Sequence, residues 1–571
     1  MLIGGNGFIS PRDPAGFGIL SRVRWRTMLD SPPMTGRRVH LETFGCQMNE
    51  LDSELVRSQL SALGYVFTDD RTEADVVIYN TCSVREQAEN KVWSRLGIDG
   101  VEKQDGREVI VGVIGCMAER EGPGLLKRFP QVDLMCGPGE LDKLPLLIDN
   151  ASKNADENIR TALQGSTTRR SQTLGAAADR LELLDLSRAF DPDQAGFAGR
   201  SAYVRITRGC NKFCTYCVVP HTRGPEIHRP PHHIVEECKR LEQQGVLEIT
   251  LLGQTVNHYL YVHGTALTVD GTPAPQVGPG LSGFRPGPDG RPTAAAGAQA
   301  TTFADLLVMI HEACPGVQRI RFVTSYPRDF GDDILYAIAE HPRLCRYLHA
   351  PAQSGSNEVL ARMNRGYDRE TFLDFAARAR KILPDVVLAG DIIVGFCGET
   401  EDDYEATRTL LQEVRFKNNF IFKYSPRPGT NAFGRLEDDV PEHEKRRRNN
   451  DLLALQAEIG TEVHAEWVGR EVPVFLEKRT GKGRKSSSGA GNGGVELRIQ
   501  GESPSSGVQL SGRTPGDMIC FVNVPEQAVE AHLGTICPVR VTGSGSLHLE
   551  GDLVPPAGLT KDQIKKVWLR G

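Results

Sequence analysis

The 571-residue sequence contains no apolar run long enough to span a membrane, which excludes a helical membrane anchor within it. It also lacks an excess of positive charge. With 67 Lys and Arg against 73 Asp and Glu, the formal net charge is −6, so a uniformly basic nucleic-acid coat is excluded and only a local basic patch is left open. A secretory apolar core and cleavage site are missing from the Arg-bearing, Gly/Pro-rich start. Residues 1–36 read as a disordered tail, or as an extension upstream of a true start at Met28 or Met34, with a mitochondrial presequence as the alternative. A disulfide framework is missing as well: thirteen cysteines, an odd number, are scattered along a long chain. Reduced thiols serving a metal in the cytoplasm fit this usage better. What the chain does have is length and 39% hydrophobic residues, enough to bury the cores of several domains.

The pattern along the chain predicts an α/β protein. Residues 37–153 alternate short β-branched runs (VHLETFGC, ADVVIYNTC, EVIVGVIGC, VDLMCG) with helical segments, as a parallel sheet requires. Cys46, Cys82 and Cys116 each close one of the first three runs. Ligands of open α/β sheets bind outside the carboxyl ends of the strands, so the three thiols are expected to converge there. Cys136 closes the fourth run and reads as structural. Residues 154–195 are polar and read as a linker. Over 196–450, six strand-like runs (YVRITRGC, LEITLLGQ, RIRFVTSYP, YLHAPAQSG, VVLAGDIIVGF, NFIFKYSPRPG) alternate with amphipathic segments, predicting a partial (β/α)6 barrel. A Gly/Pro/Ala-rich stretch, 265–302, reads as a disordered insertion, as does GKGRKSSSGAGNGG at 481–494. The β-rich runs of 465–556 (EVPVFLEKR, ELRIQG, DMICFVNV, ICPVRVTG, SLHLEGDLV) predict a small closed β-barrel, an architecture that often binds oligonucleotides and can equally be a plain structural cap.

The densest chemical signal is RGCNKFCTYC, where Cys210, Cys214 and Cys217 stand in a C-x3-C-x2-C pattern at the carboxyl end of the first barrel run. Thiolates at this spacing suit zinc or an iron–sulfur cluster. His221 would complete a closed Cys3His zinc site. An iron–sulfur cluster on three thiolates instead keeps one iron open to an exogenous ligand, which suits a position at a barrel mouth.

With Tyr216 just before its third cysteine, this motif resembles that of the radical S-adenosylmethionine (radical SAM) superfamily. TFGCQMN, NTCSVRE and GCMAER, followed by that motif, LHAPAQSGS, GFCGETEDD and YSPRPGTNAF, resemble the MiaB-type tRNA methylthiotransferases over about residues 38–554. The resemblance implies two 4Fe–4S clusters, one on Cys46, Cys82 and Cys116 and one on Cys210, Cys214 and Cys217, with S-adenosyl-L-methionine on the second. It implies cofactor contacts at Tyr216, Gly253, Gln254, Gln353, Ser354, Asp391 and Gly395. LLGQT departs from the superfamily's usual Gly-Gly-Glu at the amino-group contact. The C-terminal barrel resembles the TRAM domain, an RNA-binding module.

The implied activity is methylthiolation of C2 of N6-(dimethylallyl)adenosine at position 37 in a tRNA anticodon loop. The electron donor and sulfur donor are not readable from the sequence. Arg446, Arg447 and Arg448 are candidate RNA contacts. The alternatives are a family member acting on another modified adenosine or a ribosomal protein, and a zinc-stabilised, non-catalytic RNA-binding protein.

Overall fold

The computed structural model describes residues 36–153 apart from 84–85, then 160–163, single positions between 182 and 188, 200–264, parts of 268–277, and 299–555 apart from 481–506. Nearly all of the proposed tail 1–36 and all of the proposed insertion 481–494 lie outside the described residues.

The first domain is a six-stranded parallel sheet of β1 (Arg38–Phe44), β2 (Val66–Phe67), β3 (Val76–Thr81), β4 (Ile110–Gly115), β5 (Leu134–Cys136) and β6 (Thr161–Ala162), in the order β2-β1-β3-β4-β5-β6. VVIYNT of β3 is buried at every position, as a central strand covered on both faces should be. Because β1, β3 and β4 are neighbours, the cysteines that follow them are brought to one edge of the sheet.

The second domain holds six parallel strands: β7 (Ser201–Arg205), β8 (Glu248–Leu252), β9 (Arg319–Phe322), β10 (Tyr347–His349), β11 (Val387–Val394) and β12 (Asn418–Lys423). They pair as β9-β8-β7 and β10-β11-β12, and a parallel Ile320–Leu344 bridge joins the two halves. Among the described residues nothing pairs β7 with β12, so the barrel is partial, with helices outside it. Two of these helices start at capping boxes, Thr302 with Asp305 and Thr400 with Asp403, which satisfy orphan amides reciprocally.

The segment read as a disordered insertion is shorter than 265–302. Thr268–Val269 pairs with Thr272–Pro273, Gln276–Val277 adds to Ile227–His228, and Ala300–Thr302 pairs with Leu260–Val262. Residues 278–298 lie outside the described residues. The polar linker also differs from its reading, because its charges have buried partners. Glu182 meets Arg229 at 2.8 Å, Asp185 meets Arg205 at 2.7 Å, and Arg188 reaches both Glu54 (3.0 Å) and Glu237 (3.1 Å). Polar composition hid a clamp that ties the sheet domain to the barrel.

The C-terminal unit is a closed five-stranded barrel of β13 (Glu471–Arg479), β14 (Gly507–Arg513), β15 (Ile519–Pro525), β16 (Ile536–Ser544) and β17 (His548–Leu553), in the order β13-β14-β15-β17-β16. GVQLSGR is a strand the sequence reading passed over, and ELRIQG lies outside the described residues. The unit docks on the amino ends of the core-barrel strands. There the Asp517 carboxylate accepts from Arg321, from Arg513 (3.1 Å) and from Lys417 (3.0 Å), while Arg319 donates to Arg513 O (2.7 Å) and Pro473 O (2.6 Å). The barrel is thus plugged at the amino ends of its strands, and the cysteine motif lies at the opposite, carboxyl end of β7.

Candidate active site and metal centre

The first cysteine triad is set by local chain geometry. Cys46 ends β1 and precedes the helix Gln47–Ala62, Cys82 follows β3, and Cys116 starts a short helix after β4. Cys82 N–H bonds Phe44 O at 2.9 Å, and Cys46 lies 3.3 Å from Asn49 Oδ1. Asn49 Nδ2 donates to Asn80 Oδ1 (2.9 Å), and Asn80 Nδ2 returns to Asn49 O (2.8 Å), bracing the loop that carries Cys46. Gly115 must be glycine: its φ is +90°, and a Cβ there would lie 2.5 Å from Asn80 Oδ1. A hydrogen bond from the Cys82 thiol is the largest influence on Cys46 and, with nearby Arg223, brings it down to about 6. Burial pushes Cys116 up.

The second triad lies on the loop after β7. Gly209 has φ +71°, and a Cβ on it would meet Pro225 O at 2.0 Å, so the turn into Cys210 requires glycine. Lys212 N–H points at the Cys210 sulfur (3.4 Å), and Arg365 Nη1 donates to the Cys214 sulfur (3.3 Å). The loop is clasped from the side by residues 362–365: Thr215 Oγ1 donates to Arg362 O (2.9 Å), and Asn364 Nδ2 to Phe213 O (3.0 Å). Burial and the neighbouring thiols push Cys217 up to about 12 and Cys210 further in the same direction. Behind Cys210, Glu226 Oε1 lies 2.7 Å from His228 Nε2 and 2.6 Å from His258 Nδ1. Although burial opposes its ionisation, the two imidazoles hold Glu226 down to about 2.

The two triads face each other. Arg223, a few residues after Cys217, donates Nε–H to the Cys116 sulfur (3.2 Å) and Nη2–H to Asp52 (2.7 Å). Cys116 is also among the groups whose charge acts on Cys217.

Each triad is a buried or half-buried set of soft sulfur donors flanked by a guanidinium. Burial raises Cys116, Cys210 and Cys217, a cost that a cationic centre relieves, and three thiolates fit an iron–sulfur cluster. His221 is exposed, which does not suit closure of a Cys3His zinc site with buried sulfurs. Cys136 is buried, its thiol directed at Glu140 O (3.1 Å), in keeping with a structural role.

The expected cofactor contacts divide. Tyr216 stands edge-on to Phe396, with ring centroids 6.3 Å apart, beside Arg365. The side-chain oxygens of Gln254 and Gln353 are buried with no hydrogen-bond partner, as atoms awaiting a ligand would be. A Cβ on Gly253 would lie 2.3 Å from Thr207 Oγ1. Asp391 faces His349 at 3.7 Å. Ser354 and Gly395 have structural explanations instead. The Ser354 hydroxyl is buried 3.2 Å from Thr407 Oγ1, and Gly395 has φ +69° with the Lys445 stem 2.3 Å from where a Cβ would be.

The candidate basic patch is largely neutralised. Arg448 is buried against Glu399 (2.8 Å), Arg447 pairs with Glu401 (2.6 Å) and Glu444 (2.8 Å), and exposed Arg446 lies 3.7 Å from Glu442. The sequence reading missed Arg223, Arg365, Asn80 and Glu226, none of which has metal-ligand spacing. The arginines of HTRG and MNRGY offered a signal only through their charge near expected strand ends. Among the described residues, no helix is long and apolar enough to cross a membrane.

Residues 38–137 match the model of the Uncharacterized protein family UPF0004, and residues 204–411 match that of the Radical SAM superfamily. A tRNA-2-methylthio-N(6)-dimethylallyladenosine synthase of Rhodopirellula baltica is 40% identical over 85% of this chain and 89% of its own. One of the same name from Pelobacter propionicus is 38% identical over 82% of this chain and 94% of its own. The radical S-adenosylmethionine methyltransferase TsrM of Kitasatospora setae, a solved structure, aligns at TM-score 0.45 and 14% identity over 70% of this chain and 74% of its own.

Proposed function

The chain belongs to the tRNA-2-methylthio-N(6)-dimethylallyladenosine synthase family, within the radical SAM superfamily, and on that premise we propose that it methylthiolates C2 of N6-(dimethylallyl)adenosine at position 37 of tRNA. The observation that carries this reading is the pair of opposed cysteine triads bridged by Arg223.

In this reading Cys210, Cys214 and Cys217 hold one 4Fe–4S cluster beside S-adenosylmethionine, and Cys46, Cys82 and Cys116 hold a second. When bound, these groups supply the electron, the 5′-deoxyadenosyl radical, the sulfur and the methyl group. The chain's own residues bind, orient and shield. Arg365 and the Lys212 amide direct hydrogen bonds at the sulfurs of Cys214 and Cys210, and Arg223 does so at Cys116, so positive charge offsets the buried thiolates. Tyr216, Gly253, Gln254, Gln353 and Asp391 are the proposed contacts to S-adenosylmethionine. Ser354 and Gly395 are proposed to act through the fold around it. The substrate base must leave the stack to reach the space between the triads, and a single-stranded anticodon loop allows that.

The domain assignment proposed is a methylthiotransferase sheet domain over 37–153, a radical SAM core over 196–450 and a TRAM-like barrel over 465–556 that contributes RNA contacts. A cytoplasmic setting agrees with thirteen free cysteines.

The test is nucleoside analysis of tRNA from cells with and without the gene. Loss of 2-methylthio-N6-(dimethylallyl)adenosine with accumulation of its unthiolated precursor is expected. An unchanged profile would refute the assignment.

A further inference from the structure

The last strand of the core barrel carries two aromatics that its fold leaves uncovered. On β12, Asn419 Nδ2 donates to Gln456 Oε1 of the helix Glu442–Ala465 (2.9 Å), and Asn449 Nδ2 of that helix reaches Ile421 O (3.0 Å). Asn419 and Ile421 therefore face outward, and strand alternation turns Phe420 and Phe422 into the lumen. There they are 45% and 40% exposed. Asp391 and Ile393 of β11 stand opposite them in register. His349 of β10 completes the surface: its ring lies 6.5 Å from Phe420, its Nε2 is 3.7 Å from Asp391, and its Nδ1 is buried with no hydrogen-bond partner.

This wall is continuous with the radical motif. Ile393 packs in one apolar cluster with Tyr216 of the radical motif. Across the lumen, Cys46 and Met48 pack with Leu252 and Val323. At the floor, the charges of Arg321 and Lys417 are already matched by Asp517. The wall itself presents flat apolar faces, the His349 imidazole and the Asp391 carboxylate, a set suited to an uncharged aromatic heterocycle rather than to phosphate.

We propose that His349, Ile393, Phe420 and Phe422 form the nucleobase-selecting wall of this site, an inference that rests on the tRNA reading above. The purine stacks on Phe420, its apolar N6 substituent lies on Phe422 and Ile393, and His349 hydrogen-bonds the ring edge. The wall thereby selects adenosine that already carries an alkyl group, because without that group the apolar surface gains no partner.

The experiment uses full-length, cluster-reconstituted enzyme and anticodon stem-loop RNAs with and without the N6-dimethylallyl group. It reads the ratio of their dissociation constants. Phe422→Ala is expected to cut the wild-type preference about tenfold or more, the scale of discrimination that apolar pocket contacts supply. Phe422→Leu is expected to retain most of it. Tyr336→Ala, at an exposed aromatic on the outer helix Asp332–Glu340, should leave the ratio unchanged. His349→Gln is expected to weaken binding of both loops alike. Iron content and melting temperature monitor folding. Phe422→Ala with full iron and an unaltered ratio overturns the wall. If the wild type neither distinguishes nor methylthiolates the prenylated loop, the functional reading itself fails and the wall falls with it.

Discussion

Arg223 Nε lies 3.2 Å from the Cys116 sulfur, so a side chain of the radical motif's own loop touches the cysteine triad of another domain. Its other arm is fixed on buried Asp52 at 2.7 Å. One planar guanidinium serves both partners at once, a geometry that lysine, with a single point charge, does not reproduce.

Arg223→Lys should therefore fold but hold the N-terminal site loosely. Supporting groups behind metal ligands typically matter by about 10- to 100-fold in affinity or activity. Iron released to a chelator under anaerobic conditions should rise, and methylthiolated product should fall within that range. Product and iron retention at wild-type levels would show that Arg223 serves only to tie the domains together.

Asp517 is the carboxylate that Lys417, Arg321 and Arg513 share at the floor of the core barrel, where Glu248 also lies 3.2 Å from Arg321. Although burial opposes its ionisation, Lys417, Arg321 and Arg513 hold it well below the usual carboxylate range. Asp517→Asn strands buried cations, and breaking such a pair from one side costs about 3–5 kcal/mol. Urea unfolding should show a loss of that size, and a loss below about 1 kcal/mol would contradict the plug. For the same reason, deleting the C-terminal barrel is an unclean test of RNA binding: it uncovers Arg319, Arg321 and Lys417 as well as removing RNA contacts.

Glu477, near Arg513 in the same interface, gives a pH signature. Burial pushes it up from 4.5 to about 7. Between those values the folded chain keeps a proton that the unfolded chain has released, so stability declines as pH rises through this window. Glu477→Gln should abolish that decline, roughly 3–4 kcal/mol in total for a shift of that size. The measurement is denaturant unfolding at a series of pH values, and identical slopes for variant and wild type would contradict the assignment.

Four of the six sheet strands, and the placing of Cys46, Cys82 and Cys116 at the carboxyl ends of three of them, were legible because buried parallel strands produce continuous β-branched runs whose ends can be counted. All six core-barrel strands were legible for the same reason. The partners of the thiols were not. Arg223 and Arg365 reach their sulfurs across 107 and 151 positions of the chain, and no local pattern encodes such a contact. Composition also misled at two places. The charges at 182–188 looked like a solvated linker but form buried ion pairs, and the strands at 268–277 and 300–302 were hidden by their Gly- and Pro-rich surroundings. Arg446–Arg448 looked like a phosphate patch until Glu399, Glu401 and Glu444 were found against it.

The central claim is that the two opposed triads do different work, and paired product analysis of Cys82→Ala and Cys214→Ala tests it most directly. Each reconstituted variant is given S-adenosylmethionine, dithionite and prenylated tRNA under anaerobic conditions, and 5′-deoxyadenosine and methylthiolated nucleoside are quantified together. Cys214→Ala should yield neither product. Cys82→Ala should still release 5′-deoxyadenosine while forming no methylthiolated nucleoside. Methylthiolated nucleoside from Cys82→Ala at wild-type yield would make the N-terminal triad structural and contradict the division of labour.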